Sequence, residues 1–144
     1  MLVSDILKVK GREIFSVRPC DTAMAAAEKM REEDIGALVV REDDGIVEGT
    51  LTERDITRGF ARYGRSAHEL PAAILMTRKL FSCSLNDSIA AVSKTMTLKR
   101  VRHLLVIDAD QLVGLVSIGD VIKSRLDEME LETRVLRDIA VAVR

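Results

Sequence analysis

The chain repeats itself, and the repeat limits the folds open to it more than any single motif. Shifted by 66 positions, Phe15-Ser16-Val17-Arg18-Pro19-Cys20-Asp21-Thr22 meets Phe81-Ser82-Cys83-Ser84-Leu85-Asn86-Asp87-Ser88, and the same shift carries Met30 onto Met96, Ile35 onto Val101 and Leu38 onto Leu104. Beyond the loop at Arg41–Gly45 the shift becomes 65, and Gly49, Thr52 and Asp55 fall on Gly114, Ser117 and Asp120. One register change inside a loop is what a one-residue hairpin insertion produces. A unit of about 60 residues is marginal alone, because too little of its surface is buried on folding. Two copies are therefore expected to share one module.

Each copy has the same order of elements. Ile14-Phe15 and Leu80-Phe81 suggest a short first strand, closed by Pro19 in one copy and Asn86 in the other. A helix follows, with Asp21 or Asp87 as the expected cap. Its apolar face is Ala23, Ala26, Ala27 and Met30, or Ile89, Val92 and Met96, at helical spacing. An apolar run (Ala37–Val40 or Leu104–Ile107), an acidic turn and a second β-type segment (Ile46–Leu51 or Leu112–Val116) make a hairpin. A second helix then starts at Thr52 or Ser117. The fold class is α+β, with tandem β-α-β-β-α repeats, and the expected division is 1–70, 71–128 and a C-terminal helical extension at 129–144.

Composition narrows the partners. With 144 residues, 47% hydrophobic and 31% charged, and a formal net charge of −1, the chain matches a globular protein with no overall basic field for a nucleic-acid polymer. No apolar run approaches the ~20 residues of a membrane span. The opening Met1-Leu2-Val3-Ser4-Asp5 lacks the basic and then apolar pattern of a secretory signal, so a cytoplasmic location is expected. Cys20 and Cys83 are expected to be reduced structural thiols. His68 and His103 have no second ligand at helical spacing, so no metal site is expected. There is no Gly-x-x-x-x-Gly-Lys-Ser/Thr loop and no evident activated nucleophile, and catalysis is not expected.

Chemistry concentrates where the last strand of each copy turns into its second helix, at Gly49-Thr50-Leu51-Thr52-Glu53-Arg54-Asp55 and Gly114-Leu115-Val116-Ser117-Ile118-Gly119-Asp120. A helix start offers unpaired N–H groups and a positive dipole end, which suit a phosphate, and a carboxylate in the first turn suits a pair of ribose hydroxyls. The same Thr/Ser-x-x-Asp pattern is also a capping box, in which hydroxyl and carboxylate merely satisfy backbone donors. Both readings stand at this point. Arg54, Arg58, Arg62 and Arg65 add a basic stripe, either a solvated face or a phosphate-attracting rim.

These segments, together with Ile74-Leu75-Met76-Thr77, Val101–Asp108 and Leu112–Asp120, resemble a tandem pair of CBS domains, named after cystathionine β-synthase. The likeness runs from about Val3 to Leu126. It implies two repeats packed about a pseudo-twofold axis, with clefts that hold an adenosine ligand: AMP, ADP, ATP, NAD or S-adenosylmethionine. By position, Asp55 and Asp120 would hold ribose hydroxyls, and Thr52 and Ser117 would reach ribose or phosphate. Phe15, Ser16 and Val17, like Phe81, Ser82 and Cys83, match the segment that flanks adenine. Ile35, Gly36 and Ala37, like Val101, Arg102 and His103, match the opposite wall. Arg54 would be a phosphate partner in the first copy; Arg102 and His103 offer charge in the second. The resemblance implies a stand-alone regulatory, ligand-sensing homodimer acting on an unidentified protein; the alternative is a ligand-insensitive structural or interaction module. The C-terminal segment, with Leu126, Met129, Val135, Leu136, Ile139 and Ala140, is expected at the dimer contact, the alternative being a helix folded back on its own module.

Overall fold

The computed structural model describes residues 1–143. In chain order the elements are α1 (Val3–Lys10), β1 (Ser16–Val17), α2 (Ala23–Glu33), β2 (Ala37–Val40), β3 (Gly49–Thr52), α3 (Glu53–Tyr63), a 3-10 segment (Gly64–Glu69), a short helical turn α4 (Ala72–Leu75), β4 (Ser82–Cys83), α5 (Ile89–Lys99), β5 (His103–Asp108), β6 (Gln111–Ser117) and α6 (Ile118–Ala142). The strands form two sheets of the same topology, β1-β2-β3 and β4-β5-β6. In each, the first strand is parallel to the second and the second antiparallel to the third. The β-α-β-β-α order expected from the repeat is thus the order found.

The compact units are not cut where the repeats are. One consists of Glu13–Leu80, the other of Met1–Arg12 together with Phe81–Arg144. Each three-stranded sheet is completed by the segment that leads into the other repeat. In the second unit Val3 N, Ser4 N and Ile89 N donate to Asp87 O, Leu85 O and Met1 O; in the first, Ala72 N, Ala73 N and Ala23 N donate to Asp21 O, Pro19 O and Leu70 O. The two sets correspond bond for bond, so α1 and α4 are equivalent pieces. Buried Leu7 and Val3 join Ile89, Val92, Met96, Leu104, Val106 and Val116 in one core. Ala72, Leu75 and Met76 join Ala26, Met30, Leu38, Val40 and Leu51 in the other.

The glycine of each Gly-x-x-Thr/Ser-x-x-Asp segment exists for this contact. A Cβ at Gly114 would come within 2.9 Å of Leu7 Cδ1, and one at Gly49 within 2.7 Å of Thr77 O. Thr50 N and Thr77 N exchange backbone bonds with each other's carbonyls at 3.0 and 2.9 Å, which fixes that approach.

Several local expectations shift by a residue or more. The first strands are Ser16–Val17 and Ser82–Cys83, two residues past Ile14-Phe15 and Leu80-Phe81. The helix caps are Thr22 and Ser88, whose hydroxyls accept from Ala25 N and Ala91 N. Asp21 and Asp87 stand one residue outside and accept from Arg18 N and Ser84 N, closing the preceding turns. The first-copy return strand begins at Gly49, not Ile46, because the longer loop leaves Ile46 exposed. The second-copy hairpin is tighter and longer, turning through Ala109 and Asp110, both left-handed, as two-residue hairpins require. The C-terminal extension is no separate helix: α6 runs unbroken for 25 residues.

Leu7→Ala removes a 2% exposed side chain from the α1–β6 contact. It should lower unfolding free energy by ~2–5 kcal/mol, measured by urea denaturation; a loss below ~1 kcal/mol would mean that α1 contributes little to the second unit.

Candidate functional site

Backbone pairing sets the candidates along each sheet. In the first unit Ala37 pairs with Thr52 and Gly36 O accepts from Glu53 N, so Gly36, Ala37, Thr52 and Asp55 stand together at the helix start, with Ile35 just before them. Ser16 and Val17 pair with Val39 and Val40, towards the far end of β2, and Phe15 O accepts from Val39 N. In the second unit His103 pairs with Ser117 and Arg102 O accepts from Ile118 N, which brings Arg102, His103, Ser117 and Asp120 together after Val101. Ser82 and Cys83 pair with Leu105 and Val106 further along β5, and Phe81 O accepts from Leu105 N. Arg54 stands apart from Asp55, on the exposed side of α3, and the rest of the arginine stripe (Arg58, Arg62, Arg65) is exposed too.

Both helix starts are complete capping boxes. Thr52 Oγ1 accepts from Asp55 N and Ser117 Oγ from Asp120 N, while each carboxylate accepts from the cap residue's own N–H, at 2.9 and 2.8 Å. The resemblance between the copies ends at the second partner of each carboxylate. Asp55 is 7% exposed, its Oδ2 also taking the Thr52 hydroxyl at 3.0 Å and its Oδ1 the Thr77 hydroxyl at 2.8 Å. Both of its oxygens are used inside the protein. Asp120 is more open, and its Oδ2 receives Lys10 Nζ at 2.7 Å. Lys10 Nζ also donates to Leu115 O at 2.8 Å.

Charge separates the copies further. The Glu53 carboxyl lies against Gly36, its Cδ 3.6 Å from where a Cβ would stand, so the first-unit wall is acidic. Ile118 occupies the corresponding helix position in the second unit, beside Arg102 and His103. Burial disfavours ionised Asp120, but the Lys10 and Ser117 donors outweigh it and hold the carboxyl below its ordinary value. His103 is pushed below 6.5 by burial first and then by the Lys10 charge, with Asp120 opposing and Arg102 reinforcing. Burial and the nearby Asp87 charge raise the Cys83 thiol to about 11, leaving it protonated at neutral pH.

A cavity of about 320 Å³ opens between α1 and α6, lined by Asp5, Lys10, Asp120, Lys123, Ser124 and Asp127 among others. It meets the candidate set only at Asp120. Among the described residues no group of three or more His, Cys, Asp or Glu could hold a metal ion, and no helix is long and apolar enough to cross a membrane. Lys10, Thr77 and Glu53 were not among the sequence candidates. The first two lie 110 and 22 positions from the carboxylates they contact, and no local spacing points to them.

The chain matches the family model of the CBS domain twice, at residues 3–62 and 72–127. It is 31% identical over 118 residues to the CBS domain-containing protein YhcV of Bacillus subtilis, covering 82% of this chain and 83% of that one. Among solved structures it is similar to the CBS-domain containing protein ATU1752 of Agrobacterium tumefaciens, with 35% identity and a TM-score of 0.84 over 87% of this chain and 99% of that one. It also shares the fold, at 23% identity and a TM-score of 0.75 over 90% of this chain and 98% of that one, with the CBS domain pair of protein MJ0100, solved in complex with 5′-methylthioadenosine and S-adenosyl-L-methionine.

Two predictions test the site without any ligand. Asp55→Ala removes the cap bonds and the Thr77 contact, and should cost ~0.5–2 kcal/mol of stability by urea denaturation; a neutral result would show that the carboxylate is dispensable for the fold. For His103, a folded value below the unfolded 6.5 means that the unfolded chain takes up the proton first as pH falls. Stability is then full above pH ~6.5 and declines below it. His103→Gln should flatten the decline in melting temperature between about pH 7.5 and 5.5, and an unchanged slope would assign the acid sensitivity elsewhere.

Proposed function

The chain belongs to the CBS domain family, and we propose that it is a regulatory module whose second repeat binds an adenosine-containing ligand. The observation that carries this reading is the Lys10–Asp120 pair at the start of α6. A carboxylate already committed to the fold, like Asp55, has little to give a ribose. Asp120 holds a partly exposed lysine head and, among the described residues, leaves its Oδ1 open, so a ribose diol can take the lysine's place on the carboxylate. The displaced ammonium then stands free beside the ligand's phosphate or other anionic group, with Arg102 adding charge. Ser117 would reach the ribose or phosphate, and Phe81, Ser82 and Cys83 would flank adenine, with Val101 and His103 opposite. The methylthioadenosine and S-adenosylmethionine held by the MJ0100 pair support an adenosyl ligand as the class.

In the first repeat we assign Thr52 and Asp55 a structural role, since both oxygens of Asp55 are engaged and Glu53 repels an anion near Gly36. That repeat is the weaker site, and Phe15, Ser16, Val17, Ile35, Ala37 and Arg54 contribute correspondingly less. The module works as a homodimer and signals to a protein that prefers its liganded or unliganded state, because only differential affinity can transmit the change. Regulation rather than catalysis fits the buried, protonated Cys83 and the depressed, enclosed His103.

Calorimetric and thermal-shift titration with AMP, ADP, ATP, NAD and S-adenosylmethionine tests the proposal. A true ligand at 100 times its Kd adds ~2.7 kcal/mol to unfolding. Asp120→Asn should weaken that ligand by roughly tenfold or more, the loss of one charge-assisted contact, with little change in urea midpoint, whereas Asp55→Asn should leave affinity nearly unchanged. If none of the five shifts the melting curve at millimolar concentration, the ligand-insensitive interaction module is the correct reading.

A further inference from the structure

The outer half of α6 has no cover. From Met129 to Val143 every residue is exposed, on all sides of the helix. A helical segment of this length is marginal in water without a packing partner. Its sequence carries a seam: Ile122, Leu126, Met129, Thr133, Leu136, Ala140 and Val143 follow one another at alternating steps of four and three. Ile122, Leu126, Met129 and Leu136 are each more than half exposed. With Leu126, Thr133 and Ala140 at position a of a heptad and Ile122, Met129, Leu136 and Val143 at d, no charged residue falls on the seam; in each of the other six registers at least one does.

The residues flanking that seam identify what covers it. Position g holds Arg125 and Glu132, and position e holds Glu130 and Arg137. In a parallel pair, g of one helix faces the e five residues further along the other. A second copy of this chain, in register, therefore sets Arg125 against Glu130 and Glu132 against Arg137, each twice by symmetry. Full antiparallel overlap would oppose only Glu130 and Arg137 and leave Arg125 and Glu132 without opposite charges. In the single chain Arg125 rests 3.6 Å from Glu128 on the surface, a loose pair that can be exchanged.

We propose that α6 is the dimerisation helix, a parallel two-stranded coiled coil between two copies of this chain, with Ile122, Leu126, Met129 and Leu136 as its seam. This deepens the homodimer reading above and is independent of the ligand. Thr133, a small polar residue at a central a position, favours the in-register pairing, since any sliding by a heptad sets it against Leu126 or Ala140.

Sedimentation equilibrium of the full chain tests it. The wild type should be a dimer. Leu136→Lys, at an exposed position that the folded unit does not use, should weaken the dimer by at least roughly tenfold, because a charge on the seam costs more than the ~1.4 kcal/mol per decade. Arg137→Glu should also weaken it, and adding Glu132→Arg should restore it. In a Cys20→Ser background, Met129→Cys should form an intermolecular disulfide under mild oxidation. In the antiparallel pair those residues would be ~16 Å apart along the axis, beyond the ~7 Å that a disulfide spans. A monomeric wild type overturns both the homodimer reading and the coiled coil. A dimer that is indifferent to Leu136→Lys, or that fails to cross-link through residue 129, overturns the coiled coil alone.

Discussion

The close approach of a lead-in segment to the last strand of each sheet is the contact on which the rest of the structure depends. Three short strands and one helix leave a face of the sheet and the helix start without cover. Leu7 on Gly114, and Thr77 with Met76 on Gly49, supply that cover. A Cβ at Gly49 would meet the Thr77 backbone oxygen and one at Gly114 would push Leu7 aside, so a residue that looks like part of a binding motif is first of all a packing residue. Once the lead-in is docked, its side chains reach the carboxylate three residues into the next helix. Packing thereby decides whether Thr77 or Lys10 sits on the carboxylate oxygen atoms.

That one choice separates two halves of the same topology. The buried Asp55 carboxylate and the Thr77 hydroxyl form a neutral-donor contact that the unit keeps. An ammonium on a partly exposed carboxylate is an ion pair whose net worth is small in high dielectric, and it can be traded for another donor at little cost. The acidic Glu53 in one half and Arg102 with His103 in the other push the same way. Duplication has left one copy with its carboxylate fully engaged by the fold and the other with a carboxylate held by an ion pair.

Much of this was legible in the residues. The repeat located the six strands and α2, α3, α5 and α6 to within a few positions, and Thr52 and Ser117 begin their helices as the capping pattern requires, but it gave no sign of α1 or α4. The errors have local causes. Asp21 and Asp87 have the chemistry of caps but stand one residue early, so their carboxylates close turns while Thr22 and Ser88 cap. Ile46 has the apolarity of a strand residue, yet the extra loop residue puts it in solvent. The partners of Asp55 and Asp120 were out of reach for a different reason: they come from segments assigned by order to the other copy, and only the folded chain brings Lys10 to Asp120. The charge of Glu53 was visible, but not that it would lie against Gly36.

The exchange of lead-in segments also sets a timetable for synthesis. The residues of α1 are made long before the strand they cover, as the Lys10–Leu115 bond across 105 positions shows. The unit made of Glu13–Leu80 is by contrast contiguous and has every piece of its core as soon as Leu80 emerges. It can fold while the chain is still growing. Until β6 arrives, Val3, Ile6 and Leu7 lack the strand that buries them, so the second unit closes only when chain from both ends of its two segments is present.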